Sequence, residues 1–410
     1  SHGFIYSSDA NANLELGEAA STIIDLGLLN DDSTFQTTMV DLDLNTGYWV
    51  RSYAQTSAGV YYSDQIQNFE TKDGWKLVQS EGHQMCDGFG LASTNKAYFF
   101  GCINCTEVQS CEDNFNTMDL YSFDPLANTG QGDWSESGSE MLFFARHSAV
   151  TFQIGDTLYV GTGMSSFITG DMQKIAISDI GTNDFLPFTQ IPKREEAVAF
   201  VINEKAYVGR GRRAINPDVL DNDMWEYDPQ TGAWREVAPM PRRTAASAAT
   251  EFDGGRRGAM AFVINGLAYV GGGLWENDQS LKDFWVFEPP ANSSLMGNWT
   301  LVDEFFEGPG RVGVVHFTLG GKGYFGTGVD FNNQGANGGY LNDFWVFDPL
   351  ASPKFQPRTS LPSFERTRGL GFAFEEKAYL GYGQRIITNP DMSTTVEALN
   401  DLWKYTPRNQ

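Results

Sequence analysis

One unit of sequence recurs along most of this chain, and a repeat of this size limits the possible folds before any residue is interpreted. A tyrosine marks six units, at a spacing of roughly 50 to 60 residues: Tyr98, Tyr159, Tyr207, Tyr269, Tyr324 and Tyr379. Thirteen positions earlier stands Met85 in the first unit and an arginine in the others: Arg146, Arg194, Arg256, Arg311 and Arg366. In the last five units the tyrosine is followed by x-Gly-x-Gly.

A third segment of each unit reads as aspartate, apolar residue, aromatic residue, any residue and aromatic residue, and it usually ends in Asp-Pro. Five units show it, at Asp119–Pro125, Asp223–Pro229, Asp283–Pro289, Asp343–Pro349 and Asp401–Pro407. Aromatic residues at every second position, closed by a turn-forming pair, predict a strand that stops there. The second unit, at Lys174–Ile180, has lost the aromatic residues and is the weakest. Fourth strands are marked by Trp134, Trp234, Trp299 and Phe355.

This pattern resembles the Kelch repeat, and the sequence from Gly326 to Pro349 is similar to sequences of secreted Kelch propellers of Bacteroidetes. The resemblance covers about residues 73–410 and implies an all-β fold, a six-bladed β-propeller with four antiparallel strands per blade. The first strands support that fold independently, because they are rich in glycine and alanine, which crowding around a central axis would select. We therefore assign residues 72–410 to the propeller.

The sixth unit has no residues left for an outer strand after Pro407. Trp75–Val78 has the sequence pattern of an outer strand but belongs to no unit of its own. We predict that this amino-terminal strand joins the last blade and closes the ring, which would remove an exposed sheet edge.

Residues 1–71 lie outside the repeat. Strands are predicted from Gly3, over Phe35–Leu42, over Leu44–Ala54, and from Gly59 to Thr71. The phrase around Tyr48 resembles the late strands of a fibronectin type III or Ig-like module, in which a tyrosine occupies the corner of the sandwich. At about 70 residues the module is shorter than the usual roughly 100, so we expect a small, truncated β-sandwich acting as a spacer.

Charge and hydropathy exclude several partners. The net charge of −24 argues against nucleic acid and anionic membrane surfaces. No apolar run approaches the roughly 18 residues that span a bilayer. Ser1-His2 is typical of a tag remnant, so we expect the native amino terminus to precede it. Nothing in the sequence calls for an oligomer, and we expect a monomer.

Four cysteines cluster in the first unit. Cys86 and Cys102 should lie almost opposite each other in one hairpin, with Cys105 and Cys111 in the loop that follows. This spacing favours two disulfides, Cys86–Cys102 and Cys105–Cys111, and hence a location outside the cytoplasm, secreted or anchored at the cell surface. Zinc bound by Cys102-x-x-Cys105 is the rival interpretation, although a second ligand pair is missing.

The arginines that begin the first strands share one face with the long loops that follow the second strands, and we expect ligands to bind at this face. Arg146, Arg194, Arg256, Arg311 and Arg366 could receive carboxylate, sulfate or phosphate groups. Alternatively, they belong to the repeat itself and pair with loop backbones or with aspartates such as Asp330. The same rim should carry Ser165, Arg213, Trp275, Asp330 and Arg385. Trp275 could stack on a sugar or anchor its loop against Leu274.

Metal chemistry is weakly indicated. Galactose oxidase, which some Kelch propellers resemble, needs two histidines in its copper site, and this chain has only His2, His83, His147 and His316. Calcium could bind the oxygen-rich loops at Asp330 or Asn389, but such residues also form ordinary turns. We expect no cofactor, with calcium as the remaining option.

Two functions remain from different classes. The first is a secreted or surface-anchored binding module that recognises a glycan or a protein through the loop-bearing face. The second is an enzyme acting on an acidic sugar, similar to the Kelch mutarotases of sialic acid, with Glu195, Glu196 or His147 as the general acid or base. Whether the chain is an enzyme stays open at this point.

Overall fold

A computed structural model describes residues 1–28, 35, 37, 39, 42, 46–70, 74–79, 85–93, 95–103, 118–130, 132–141, 146–182, 185–215, 218–241, 255–275, 278–303, 306–333, 339–374, 376–388 and 394–407. The chain divides into two compact units, residues 1–74 with 406–410, and residues 75–405. Two single helical turns are described, at Ala127–Gly130 and Ile177–Asp179. None of the described helices is long and apolar enough to cross a membrane.

The amino-terminal unit contains one antiparallel sheet. Its strands run over His2–Ser7, Thr22–Asp25, Gly47–Thr56, Gly59–Tyr62 and Gln67–Glu70. Tyr48 is buried and lies edge-on to Tyr6. Thr22–Asp25 was not foreseen, and most of the predicted strand Phe35–Leu42 lies outside the described residues. The sandwich architecture stays a prediction.

The second unit contains six four-stranded antiparallel sheets, numbered here 1 to 6 along the chain. The first strands are Met85–Ala92, Val150–Ile154, Val198–Ile202, Met260–Ile264, Val315–Leu319 and Leu370–Phe374. The second strands are Ala97–Ile103, Thr157–Gly161, Lys205–Gly209, Leu267–Gly271, Lys322–Gly326 and Lys377–Gly381.

The third strands are Met118–Asp124, Met172–Ala176, Met224–Asp228, Phe284–Glu288, Phe344–Phe347 and Leu402–Thr406. The outer strands are Asp133–Met141, Leu186–Phe188, Ala233–Val237, Asn298–Asp303, Phe355–Arg358 and Gly74–Gln79. Short extra hairpins follow three of the second strands, at Arg212–Ile215 with Asp218–Leu220, Leu274–Trp275 with Gln279–Ser280, and Gln384–Thr388 with Thr394–Ala398.

In sheet 2 the third strand begins at Met172, two residues before the segment predicted from the sequence, and ends at Ala176. A helical turn follows, and the outer strand has only three residues. The aspartate that precedes the third strand in the other units is therefore represented here by Asp171, which sequence alignment on aromatic residues missed.

The sheets form a closed ring. Each first strand contacts the first strands of the two neighbouring sheets, and sheet 6 contacts sheet 1. Apolar side chains fill every junction, including that between sheets 1 and 6, where the rings of Phe99 and Phe372 lie 5.1 Å apart. Because each sheet buries both faces, the aromatic residues of the third strands serve as the core between sheets.

The outer strand of sheet 6 comes from the amino-terminal end of the ring, Gly74–Gln79, as predicted. Trp75 fixes it in place. Its indole nitrogen donates to the carbonyl oxygen of Thr359 at 2.8 Å, and its ring packs against Phe344 and Tyr405. The last sheet is thus completed by a strand that is far away in sequence, and the ring is closed.

Candidate functional site

Each arginine of the repeat is buried and bound within its own sheet. Its two terminal nitrogens donate to both oxygens of one aspartate at 2.7 to 3.0 Å, and one of them also donates to a loop carbonyl oxygen at 3.0 to 3.2 Å. The pairs are Arg146–Asp171, Arg194–Asp223, Arg256–Asp283, Arg311–Asp343 and Arg366–Asp401. We call these five side chains the staple arginines.

The aspartates of four pairs receive a third bond, from the indole nitrogen of the tryptophan two positions later, at 2.6 to 2.7 Å. Burial opposes ionisation of Asp401, but hydrogen bonds and charge from Arg366 prevail and lower its pKa to about 2. The pKa values of Asp171 and Asp223 are lowered for the same reason. In these three pairs the carboxylate is therefore charged beside its guanidinium.

The staple arginines do not form the open ring of ligand-binding groups that their spacing suggested. The alternative interpretation, pairing within the fold, describes them, but their partners are the aspartates that precede the third strands rather than Asp330. The carboxylate of Asp330 instead accepts the backbone N–H of Asn332 at 3.0 Å, which is an ordinary turn contact.

The two residues that follow each staple arginine lie at one end of the ring. The second of them has a left-handed backbone in every sheet from 2 to 6, with φ between 49° and 66°: Ser148, Glu196, Gly258, Gly313 and Arg368. Backbone bonds of 2.8 to 3.0 Å join several of them across neighbouring sheets, from Glu196 to Ser148, from Gly258 to Glu196 and from Arg368 to Gly313. The backbone conformation of this rim is therefore the same in sheets 2 to 6, whereas the side chains differ from sheet to sheet.

A cavity of 410 Å³ opens at this rim. We call it the mouth cavity. Its wall is built from polar side chains and from small residues of the first strands, and includes Glu196, Arg257, Phe331, Tyr340, Thr367, Arg368 and Gln384. Its size falls within the range of about 300 to 1,000 Å³ that is common for small-molecule sites.

Glu196 is the acidic centre of the mouth cavity. Arg257 donates to one of its oxygens at 2.7 Å, and a nitrogen of Arg368 lies 3.7 Å from the other. Burial disfavours the charged carboxylate, but Arg257 and then Arg368 outweigh burial, so the pKa of Glu196 lies below its ordinary value. Two guanidinium groups therefore flank the carboxylate of Glu196 on this wall, and the carboxylate of Asp278 lies 3.6 Å from Arg257.

A second cavity of 270 Å³ continues from the mouth cavity along the ring axis, and the two share several wall residues. We call it the bore. Its wall consists mainly of glycine, alanine and valine from all six first strands, in agreement with the crowding inferred from the sequence. At Gly371 a Cβ atom would overlap a methyl group of Val315, so the neighbouring strand enforces glycine there. His316 lines the bore, and burial lowers its pKa.

The three acid–base candidates lie in different surroundings. Glu195 is buried and receives a 2.9 Å bond from Arg212, so it belongs to the fold. Glu196, by contrast, faces the mouth cavity. The imidazole of His147 lies 3.0 Å from the hydroxyl of Ser148.

The other predicted rim residues belong to the loops beyond the staple arginines. Arg213 is exposed and pairs with Asp221 at 3.1 Å. Arg385 pairs with Glu397, and its guanidinium stacks 3.4 Å from the ring centre of Phe364. None of these side chains lines the mouth cavity.

Trp275 is half-buried in the short hairpin beside the buried Leu274, while Ser165 lies in a loop turn. Neither of the two lines the mouth cavity, and the role of Trp275 as a sugar platform stays a prediction.

Of the cysteines, the backbone pairs Cys86 directly with Cys102, whereas Cys105 and Cys111 lie outside the described residues. Among the described residues no group of three or more histidine, cysteine, aspartate or glutamate side chains could hold a metal ion. Asn389 also lies outside them.

Comparison with known proteins supports the repeat. The family model described as the Kelch motif matches residues 193–241, which include the staple arginine, the glycine pair and the third strand of sheet 3. The chain therefore contains a Kelch motif within an all-β fold. A solved structure described as that of YjhT aligns with 77% of this chain and 94% of its own, at 15% identity and a TM-score of 0.58. At this identity the likeness concerns the fold.

Proposed function

We propose that this chain is a six-bladed Kelch propeller that acts as a binding module and takes an acidic sugar in the mouth cavity. The observation that carries the proposal is the convergence of Arg257 and Arg368 on the wall of a cavity of ligand size. Guanidinium groups favour carboxylates because their parallel N–H bonds match the two oxygens.

The charge distribution supports an anion at this place. The protein carries a net charge of −24, which repels anions in general, and Arg257 and Arg368 supply local positive charge at the cavity wall. Arg257 is fixed by its 2.7 Å bond to Glu196, and Arg368 lies beside the same carboxylate on the cavity wall. An incoming carboxylate would meet the guanidinium of Arg368 at this wall.

The proposal is tested by isothermal titration calorimetry with N-acetylneuraminic acid, glucuronic acid and neutral galactose. We expect the acids to bind and galactose not to bind. Arg368→Gln should weaken binding of the acids by about tenfold or more, because a charged hydrogen bond is lost. The matched control is Arg213→Gln, on an exposed hairpin outside the cavity, which should change nothing. Equal binding of galactose, or full affinity of Arg368→Gln, would overturn the proposal.

A sugar-active enzyme is the second possibility, similar to the Kelch mutarotases of sialic acid. The position of Glu196 favours it, because this carboxylate lines a ligand-sized cavity, whereas its lowered pKa makes it a weaker base. NMR exchange between the anomers of N-acetylneuraminic acid separates the two functions. If the protein accelerates the exchange and Glu196→Gln abolishes the acceleration, the protein is an enzyme. If the sugar binds but exchanges at the uncatalysed rate, the protein is a binding module.

If no sugar binds, a protein ligand is the remaining possibility for the binding module. We also propose that the protein works outside the cytoplasm, secreted or surface-anchored, on an immunoglobulin-like spacer formed by the first 71 residues. The backbone pairing of Cys86 with Cys102 supports an oxidising compartment, since cross-strand neighbours are close enough for a disulfide.

A further inference from the structure

One rim position breaks the pattern of the repeat. The residue after the second glycine pairs, in an isolated β-bridge, with the residue after the staple arginine of the same sheet. In sheets 2 to 6 this position holds Met164, Arg212, Leu274, Val329 and Gln384. Leu274 and Val329 are packed in an apolar cluster, and Arg212 is paired with a glutamate. Only in sheet 6 is the position occupied by an uncharged polar side chain.

The amide of Gln384 is not satisfied by the fold. The side chain is 8% exposed, and no donor among the described residues reaches its Oε1 atom. A buried acceptor without a donor is unfavourable, and the apolar residues of other sheets show that the fold does not require one here. Because Gln384 borders the mouth cavity, a ligand bound there would supply the missing donor.

Gln384 is well placed to meet that ligand. It lines the mouth cavity, and its backbone exchanges two hydrogen bonds with Thr367, at 2.9 and 3.0 Å. Thr367 is the residue directly before Arg368, so the unsatisfied amide and the guanidinium stand on adjoining backbone of one sheet.

We propose that Gln384 selects the ligand by accepting a hydrogen bond from a hydroxyl on the carbon next to the carboxylate that Arg368 contacts. The inference rests on the proposed function and narrows its ligand to α-hydroxy carboxylates, the class to which the ring forms of 2-keto sugar acids belong. Arg368 then supplies the attraction for the acid, and Gln384 supplies the discrimination. An acid without this hydroxyl leaves Oε1 buried and unpaired.

The test compares N-acetylneuraminic acid, which carries a hydroxyl beside its carboxylate, with its 2-deoxy analogue, which lacks that donor and adds no bulk. Both are titrated into the full chain and into Gln384→Met, the residue that sheet 2 carries at the same position. We expect the unaltered protein to prefer the hydroxy acid by about tenfold or more and Gln384→Met to lose that preference. Its melting temperature should not fall, because methionine satisfies the fold.

The control is Gln153→Met, at a glutamine whose amide donates to Gly155 in the far turn of sheet 2, and it should keep the preference. Equal binding of both acids to the unaltered protein would refute the role of Gln384 while leaving the proposed function intact. Unchanged discrimination in Gln384→Met would assign the amide to a buried water and also refute it. Failure of every acid to bind would remove the proposed function and this inference together.

Discussion

The staple arginines give the sharpest prediction about what holds the fold together. Asp283 and Arg256 are 1% and 4% exposed, and the aspartate accepts two guanidinium bonds, at 2.9 and 2.7 Å, and the indole bond of Trp285 at 2.7 Å. In Asp283→Asn only one oxygen remains to accept these bonds, the new NH2 group faces other donors, and the buried charge of Arg256 loses its counter-charge. Breaking a buried pair in this way costs about 3 to 5 kcal/mol.

The matched control is Asp278→Asn, the same chemical change on the same side of the ring. Asp278 is 68% exposed and lies 3.6 Å from Arg257, and such surface pairs contribute about 0 to 1 kcal/mol. Urea unfolding followed by far-ultraviolet circular dichroism gives both free energies, or unfolding rates if the transition is irreversible. A loss in Asp283→Asn within about 1 kcal/mol of the control would refute the structural role of the staple arginines.

Three further predictions follow. The pKa of Asp401 is about 2 when folded against about 3.9 when unfolded, so about 2.6 kcal/mol of stability should be present above pH 4 and lost toward pH 2; acid unfolding of Asp401→Asn should lack this portion. Trp75→Ala should cost about 3 to 5 kcal/mol by urea unfolding, since it unseats the closing strand; an unchanged midpoint would contradict closure. Cys86 and Cys102 should resist maleimide labelling until a reductant is added, and immediate labelling would exclude their disulfide.

The architecture could be read from the sequence because its signals are local and repeated. The aromatic third strands and their terminal Asp-Pro appear in register, and an outer strand was missing at one end of the repeat and surplus at the other. Sheet 2 was harder, because its third strand lacks the aromatic residues and Asp171 is recognised only through its bond to Arg146. The aromatic residues used for the alignment are missing in sheet 2, but the bond between the staple arginine and its aspartate is present.

The site was read less well, and the reason is physical. A guanidinium partner cannot be inferred from the arginine alone, because the aspartates lie 25 to 35 positions later across loops of different length. Glu196 was one of three acid–base candidates, and its left-handed backbone, which the sequence does not reveal, accompanies its place on the mouth cavity. Arg257, Arg368 and Gln384 were missed altogether. The available signal was variation: the positions next to an unvarying arginine and glycine differ from unit to unit.

The most direct test of the account is a crystal structure of the full chain soaked with N-acetylneuraminic acid. We expect the sugar in the mouth cavity, with its carboxylate at about 2.7 to 2.9 Å from the guanidinium of Arg368 and all five staple arginines still bound to their aspartates. A sugar bound outside the mouth cavity, or one that draws a staple arginine away from its aspartate, would contradict this expectation.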